Sequence, residues 1–230
     1  MKRLTTYLKD NEKLIVNQRF DEKLIINKNY KGYTPTSFNE LRNIIEQRYE
    51  EHGPGTEQSP IDFNDIDVSK IDSFYNIDIY RGIFEETEFE YIDISNWDVS
   101  NVEDMCYIFY KCRQLKSVGD LSNWNVSGVK DIQYIFFHCD KLTSVGDLSG
   151  WDVSKVENMQ SMFDGCEKLE SVGNLSRWDV SNVENMQSMF EGCKKLESVG
   201  DLSNWDVSNV ENMYEMFYNS GIKNKPRWYK

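Results

Sequence analysis

The chain has 230 residues, of which 39% are hydrophobic, and 39 acidic against 26 basic residues give it a net charge of −13 at pH 7. Nucleic-acid affinity comes mainly from clustered Lys and Arg, so this balance argues against direct nucleic-acid binding. No window approaches the roughly 18 apolar residues that span a bilayer, so no membrane insertion is expected. The opening MKRLTTYLKDNEKLIVNQRF lacks the apolar run of a secretory signal, which predicts a cytoplasmic location, or the cell surface if a leader has been trimmed.

The amino-terminal residues are predicted to form a cap of two strands and a helix. NEKLIVNQR and DEKLIINKN, residues 11–19 and 21–29, repeat each other and predict two short strands. In SFNELRNIIEQRYEEHGPG, Ser37 and Glu40 form a helix-starting pair and Gly53 with the following proline ends the helix. The apolar face of this helix consists of Leu41, Ile44, Ile45 and the stem of Arg48.

Five tryptophans recur at a fixed spacing of 27 residues, at positions 97, 124, 151, 178 and 205. A constant period in this range indicates a repeat architecture whose units bury their apolar faces against each other. Residues 66–92 read as a degenerate first turn, with Ile66 in place of tryptophan and 31 residues before Trp97.

Each unit is predicted to contain one helix and one short strand. Met186, Met189 and Phe190 have the spacings of three and four that mark a helical face, whereas LESVGDLS reads as an extended segment. A Ser-x-x-Glu capping box is expected to start each helix, and a glycine such as Gly192 to end it. The serines are Ser100, Ser154, Ser181 and Ser208, and the glutamates are Glu103, Glu157, Glu184 and Glu211; Lys130 breaks the box after Ser127.

Two recurring columns could suggest chemistry, but a structural role is favoured for both. Cys112, Cys139, Cys166 and Cys193 lack the close pairs of a zinc site and are predicted to be buried, reduced side chains. Asp98, Asp152, Asp179 and Asp206, and likewise Asp120, Asp147, Asn174 and Asp201, are assigned to turns rather than to calcium. The two histidines, His52 and His138, offer little for acid–base catalysis, and His138 is expected to be solvated. No catalytic residue, cofactor or metal is predicted.

Positions that vary between units are the candidate recognition surface. Tyr107, Tyr110, Tyr134 and Phe137 are expected to merge into one patch, whereas the equivalent middle positions, such as Ser161 and Ser188, are polar and predicted to face solvent. The candidate partner-binding residues are Tyr107, Tyr110, Tyr134, Phe137, Tyr214 and Tyr218. Two alternatives stay open: the amino-terminal segment covers the patch internally, or the mixed-charge face around the strand binds the partner instead.

The iterated phrase WDVSNVENMQSMFEGCKKL resembles the repeat of the BspA-like leucine-rich repeat proteins of bacteria, over about residues 66–217. The resemblance implies an α/β, right-handed leucine-rich-repeat-type solenoid of about five regular turns plus one degenerate turn. It also implies adhesion or protein binding and no catalytic residues. Short versions without export signals resemble accessory proteins of mobile elements and phages.

Three regions are predicted: a cap over residues 1–60, a solenoid over 61–217 and a carboxy-terminal cap over 218–230, with Trp228 closing the open face. The predicted function is a non-enzymatic module that binds another protein through its variable positions. Two alternatives are an acidic inhibitor that mimics nucleic acid, and a surface adhesin.

Overall fold

A computed structural model describes residues 32–230, of which Thr34–Lys230 form one compact unit. The two strands predicted within residues 11–29 lie outside the described residues. Within these described residues the elements are one helix, α1 (Phe38–His52), and four two-residue strands, β1 (Ile61–Asp62), β2 (Tyr75–Asn76), β3 (Arg81–Gly82) and β4 (Ile92–Asp93). Three 3₁₀ segments follow at Leu148–Gly150, Leu175–Arg177 and Leu202–Asn204. β1 pairs in parallel with β4, and β2 pairs antiparallel with β3.

The predicted helix upstream of the repeats is confirmed as α1. The Ser37 hydroxyl accepts the Glu40 N–H at 3.3 Å, and Gly53 ends the helix with φ of 73°. The Glu40 carboxylate accepts from the N–H of Thr36 rather than of Ser37. Leu41 and Ile45 are fully buried against the core, so α1 covers the first turn of the repeat array.

The repeats stack as successive coils, each one 27-residue unit, joined by parallel β-bridges. One row of bridges links Ser73, Asp104, Asp131, Asn158, Asn185 and Asn212, and a second row links Tyr91, Ser117, Ser144 and Ser171. Equivalent residues of consecutive coils therefore lie beside each other, and the described repeats form one continuous core.

The helix predicted in each repeat is wrong. Between Met186 and Gly192, alternate N–H groups donate to the next coil, as Met186 does to the Asn212 carbonyl at 2.8 Å. The remaining N–H groups close tight turns, and Ser188 lies at φ of 55°. These amides donate to the neighbouring coil rather than to the carbonyl four residues earlier in the chain. The segment therefore forms consecutive turns instead of a helix. The apolar spacing of three and four therefore reflects turns that bury the same positions, and Met186 and Met189 are indeed fully buried.

The predicted capping boxes of the repeats are also wrong, because turn hydrogen bonds replace them. The Ser181 N–H donates to Asp179 Oδ1 at 3.1 Å, and the Glu184 N–H donates to the Glu157 carbonyl of the preceding coil at 2.8 Å. The glycines predicted to end the helices do adopt the left-handed conformation, with φ of 68° at Gly192, but they lie in turns.

Aromatic columns fill the interior of the stack. Phe84, Phe109, Phe136, Phe163, Phe190 and Phe217 stack at centroid distances of 5.2–5.9 Å. Each tryptophan lies in a parallel column, and its indole N–H donates to a carbonyl of the preceding coil, as Trp151 does to Leu121 at 2.9 Å. This bond satisfies the polar atom of a side chain that is 3% exposed. Because the units repeat, the neighbouring coil supplies each tryptophan with both an apolar contact and a hydrogen-bond acceptor.

The cysteine column is buried and reduced, as predicted. Each thiol donates to a carbonyl of the preceding coil; Cys139 Sγ lies 3.1 Å from the Phe109 oxygen. Burial raises the pKa of these thiols, to about 11 at Cys112, so they stay protonated near neutral pH.

Neighbouring coils approach each other closely at the Ser-Val-Gly segments. Gly173 has φ of 84°, and a Cβ there would collide with the Asp147 carboxylate of the preceding coil. The same relation joins Gly200 to Asn174. Only glycine fits, because both the space and the backbone conformation exclude a side chain.

The first coil departs from the repeat by an insertion. Ile66 takes the tryptophan position, since its N–H bonds to Phe63 as that of Trp124 bonds to Leu121. The extra residues form the β2–β3 hairpin. This hairpin lies between Phe74 and Phe84, both of which bond to the following coil.

Candidate protein-binding surface

The aromatic surface, defined as the rings of Tyr75, Tyr107, Tyr110, Tyr134 and Phe137, spans three coils. Tyr107 contacts Tyr75, Tyr110 and Tyr134 at centroid distances of 5.3, 5.1 and 4.9 Å. Tyr110 stacks on Phe137 at 5.0 Å. The structure therefore brings together four of the six predicted partner residues, and β2 adds Tyr75.

Backbone geometry keeps these rings at the surface. Tyr107 and Tyr134 occupy equivalent left-handed positions, with φ of 59° and 54°, and their N–H groups bond to the next coil. The rings are half-buried, because each lies against neighbouring rings. Burial raises the pKa of both phenols, so they remain neutral hydrogen-bonding groups.

The equivalent positions of the middle coils are not solvent-facing as predicted. Ser161 and Ser188 are 4% and 5% exposed. A serine at this turn is short enough to be covered by its neighbours; Ser161 Oγ donates to Asp164 at 3.3 Å. In this column only large side chains extend to the protein surface. The aromatic surface is therefore confined to the first coils.

An exposed hairpin tip, which was not predicted from the sequence, extends the aromatic surface. Ile77, Ile79 and Tyr80 are 68%, 56% and 74% exposed, between β2 and β3. Tyr75 on β2 stacks on Tyr107, so the hairpin is anchored to the aromatic surface. The available signal was the 31-residue interval before Trp97, which marks an insertion into the first coil. Clustered apolar exposure of this kind is typical of interaction sites.

Polar groups frame the aromatic surface. The Lys111 ammonium lies 4.7 Å from the Tyr110 ring and 3.6 Å from Glu86, and Gln160 donates to the Tyr134 hydroxyl. His138, predicted to be solvated, is instead half-buried: its ring packs on Phe137 at 4.4 Å. Burial raises the pKa of the neighbouring Asp164 to about 6, with the Glu191 carboxylate adding repulsion.

Tyr214 and Tyr218, the other two predicted partner residues, lie on the last coil. They are 66% and 58% exposed. The bridged coils that carry Ser161 and Ser188 separate them from the aromatic surface. The six predicted residues therefore lie in two separate groups, one of four and one of two.

The aspartate columns make turn hydrogen bonds, as predicted. Asp152 Oδ1 accepts the Ser154 N–H at 3.1 Å, and Asp147 Oδ1 accepts the Ser149 N–H at 2.9 Å. These bonds lower the pKa of both carboxyls. Within residues 32–230, no group of three or more His, Cys, Asp or Glu side chains is placed to hold a metal ion. No helix in this range is long and apolar enough to cross a membrane.

Comparison with protein families gives two matches along the chain, to residues 57–145 and 140–227. Both are to a family described as "Mycoplasma protein of unknown function, DUF285". The chain belongs to this DUF285 family. Its matched ranges contain the stacked coils and the aromatic surface.

The solved structures include a leucine-rich repeat protein from Eubacterium ventriosum that is similar to this DUF285 chain. The two are 20% identical with a TM-score of 0.42, and the match covers 64% of this chain. It spans 35% of the length of that protein. Among curated proteins, no significant match is found.

Proposed function

We propose that this DUF285 protein is a non-enzymatic, protein-binding repeat module and that the aromatic surface with the hairpin tip is its binding site. The coils act as a rigid scaffold of the leucine-rich, BspA-like type. The observation that carries the proposal is the continuity of the half-buried rings with the exposed Ile77, Ile79 and Tyr80. Tyrosine is enriched among the residues that contribute most to protein interfaces.

The composition of the site suits a partner with apolar side chains. The rings are half-buried and lie against each other, so they can contact a protein surface at low entropic cost because they are already fixed. Lys111 and Glu86 form a charged rim. A central apolar area with a polar rim is the usual anatomy of a protein interface.

The test is affinity purification from native cells with paired baits. The first variant combines Ile79→Ser with Tyr80→Ser, which changes only exposed side chains. The matched control combines Tyr214→Ser with Tyr218→Ser at the far end of the stack. We expect a protein retained by the wild-type bait to be lost at least about tenfold with the first variant and kept with the control, since hot-spot truncations cost more than about 1 kcal/mol.

Equal retention by all three baits would contradict the proposal, provided that the melting temperatures agree. Substitution of Tyr107 and Tyr134 by alanine is a weaker test of binding. Those rings contact each other at 4.9 Å, so their loss lowers stability as well as binding.

A second candidate is an acidic protein that mimics nucleic acid and occupies a basic groove. Two columns of carboxylates, one from the aspartates and one from the glutamates of the repeat, are exposed along the stack. They are Asp98, Asp152, Asp179 and Asp206, and Glu103, Glu157, Glu184 and Glu211. Binding by this face would weaken steeply with salt and compete with DNA or RNA, whereas an apolar site would respond little to salt.

A further inference from the structure

Two carboxylates lie directly beside the aromatic surface. The position that Phe137 occupies in its coil is taken by Asp164 and Glu191 in the next two coils, and both are half-buried. The His138 N–H donates to the Asp164 carbonyl at 2.7 Å, so these coils are in register at this point. Burial raises the pKa of the Tyr134 phenol, and the nearby Asp164 charge raises it further. The rings and the carboxylates therefore form one continuous surface.

The residues that flank the two carboxylates within their coils are small. Each carboxylate has one serine and one glycine at the flanking positions that carry larger side chains in the coils of the aromatic surface. They are Ser161, Gly165, Ser188 and Gly192. Neither a serine nor a glycine is long enough to cover a carboxylate. Both carboxylates therefore stay partly exposed next to the rings.

The cations beside the aromatic surface already have acidic partners. The Lys111 ammonium lies 3.6 Å from Glu86, and the Arg113 guanidinium lies 3.0 Å from Asp140. The His138 Nδ1 atom also lies 3.1 Å from Asp140. Within residues 32–230, neither of the two half-buried carboxylates forms an ion pair. The surface is therefore left with two neighbouring negative charges that no cation of these residues balances.

The two charges repel each other. Burial raises the pKa of Asp164 to about 6, and the Glu191 and Glu215 charges raise it further. His138 and the Ser161 hydroxyl act in the opposite direction. The Ser161 hydroxyl donates to Asp164 at 3.3 Å, but it is neutral and does not balance the charge. A cation from a bound protein would replace this repulsion by attraction.

We propose that the partner of this DUF285 protein is a basic, apolar protein segment, which packs apolar side chains on the aromatic surface and presents a Lys or Arg to Asp164 and Glu191. The inference rests on the proposed function, because it assigns the chemistry of the partner at the same site. A guanidinium forms paired hydrogen bonds with a carboxylate and also stacks on aromatic rings, so arginine suits this boundary between rings and carboxylates. Complementary charge also fixes the orientation of a bound segment.

Peptide display tests this chemistry without knowledge of the natural partner. A library of short random peptides is selected on the wild-type chain and on two variants. The site variant combines Asp164→Asn with Glu191→Gln. The matched control combines Glu157→Gln with Glu184→Gln, which removes the same charge from an exposed column outside the site. We expect the wild type and the control to enrich peptides with Lys or Arg beside apolar residues, and the site variant to lose that enrichment of cations.

Affinities of the selected peptides give a second readout. By fluorescence anisotropy, a peptide selected on the wild type should bind the site variant at least about tenfold more weakly and the control equally well, since hydrogen bonds to charged groups contribute that much. Replacing the cation of the peptide by glutamine should weaken its binding to the wild type. The same replacement should change little with the site variant, because the two changes remove one shared contact. This peptide change leaves the fold of the protein untouched.

The Ile79→Ser and Tyr80→Ser variant separates the two proposals. Peptides that need the hairpin tip but are not enriched in Lys or Arg would overturn the basic partner and leave the aromatic binding site standing. Equal affinity for the wild type and the site variant would do the same. If the selection gives no peptide that needs the tip, both proposals are wrong.

Discussion

The two ends of the stack are closed in different ways. At the amino-terminal end, Arg42 of α1 donates to the carbonyls of Gly82 and Ile83 at 3.3 and 2.6 Å, and Arg48 donates to the Asp62 carbonyl. At the other end, the last coil leaves main-chain N–H groups without acceptors in the described residues. A stack of parallel coils therefore has a direction: acceptors lie at one end and donors at the other, and the same cap cannot serve both.

The largest expected effect is the difference in stability lost when a tryptophan is replaced in the interior of the stack or at its end. Trp151→Ala removes a side chain that stacks on Trp124 at 6.4 Å and satisfies the Leu121 carbonyl, so we expect a loss of about 3–5 kcal/mol in the free energy of unfolding. Trp228→Ala, at the half-buried end of the same column, should cost about 1–2 kcal/mol. Urea unfolding followed by circular dichroism measures both, and equal losses would show that the ends are packed as firmly as the interior.

The amino-terminal cap gives the second effect. Arg42 is 8% exposed and pairs with Glu46 at 2.8 Å, so Arg42→Met leaves the Ile83 carbonyl and the Glu46 carboxylate without this donor, whereas the Gly82 carbonyl keeps the Glu85 N–H. We expect a loss of about 2–3 kcal/mol in urea unfolding. Arg48→Met, at a more exposed site of the same helix, is the matched control and should cost less. A neutral Arg42→Met would show that packing of Leu41 and Ile45 alone closes this end.

The smallest expected effect is a pH-dependent change in stability caused by one carboxyl in the interior of the stack. Burial raises the pKa of Asp131 to about 6, and the Asp104 carboxylate of the preceding coil adds repulsion. A raised pKa means that the folded state holds the proton more tightly, so this group destabilises the protein as pH rises from about 4 through 6. Asp131→Asn should therefore stabilise the protein at pH 7.5 by about 1 kcal/mol, since partial exposure screens the penalty.

That gain should vanish below about pH 3, where the carboxyl is protonated in both the folded and the unfolded state. Thermal melts of both proteins between about pH 3 and 8 measure it. The next three coils support the direction of the effect, because Asn158, Asn185 and Asn212 occupy the same column. A stability difference that does not change with pH would contradict the burial of the Asp131 charge.

The periodic features of the fold were predictable from the sequence because they depend on side-chain burial. The 27-residue spacing gave the buried columns, the reduced cysteines and the turn role of the aspartates correctly. The repeat helix was predicted wrongly because Ser-x-x-Glu and apolar spacings of three and four are shared by helices and by stacked turns. What distinguishes them is where each N–H finds its acceptor, and that acceptor lies 26 residues away in the next coil.

The candidate site was predictable in part. Adjacent coils with aromatic residues at the same two positions led to the cluster of Tyr107, Tyr110, Tyr134 and Phe137. Tyr75 and the exposed tip at Ile77–Tyr80 were missed, because an insertion into a degenerate coil carries no periodic signal. Arg42 was missed because its burial depends on carbonyls 40 and 41 residues away.

The identical register of the inner coils sets how far the hairpin tip lies from the coil that carries Tyr214 and Tyr218. Strands in a stack are separated by about 4.8 Å, so each coil between the hairpin tip and Tyr218 adds about that distance. Removing or duplicating a whole 27-residue unit, such as residues 151–177, would preserve every column of stacked side chains and change that separation by the spacing of one coil. Extra residues of any other number would have to leave the stack as a loop, as the β2–β3 hairpin does before Trp97, whose indole still donates to the Phe63 carbonyl, so the separation changes only by whole coils.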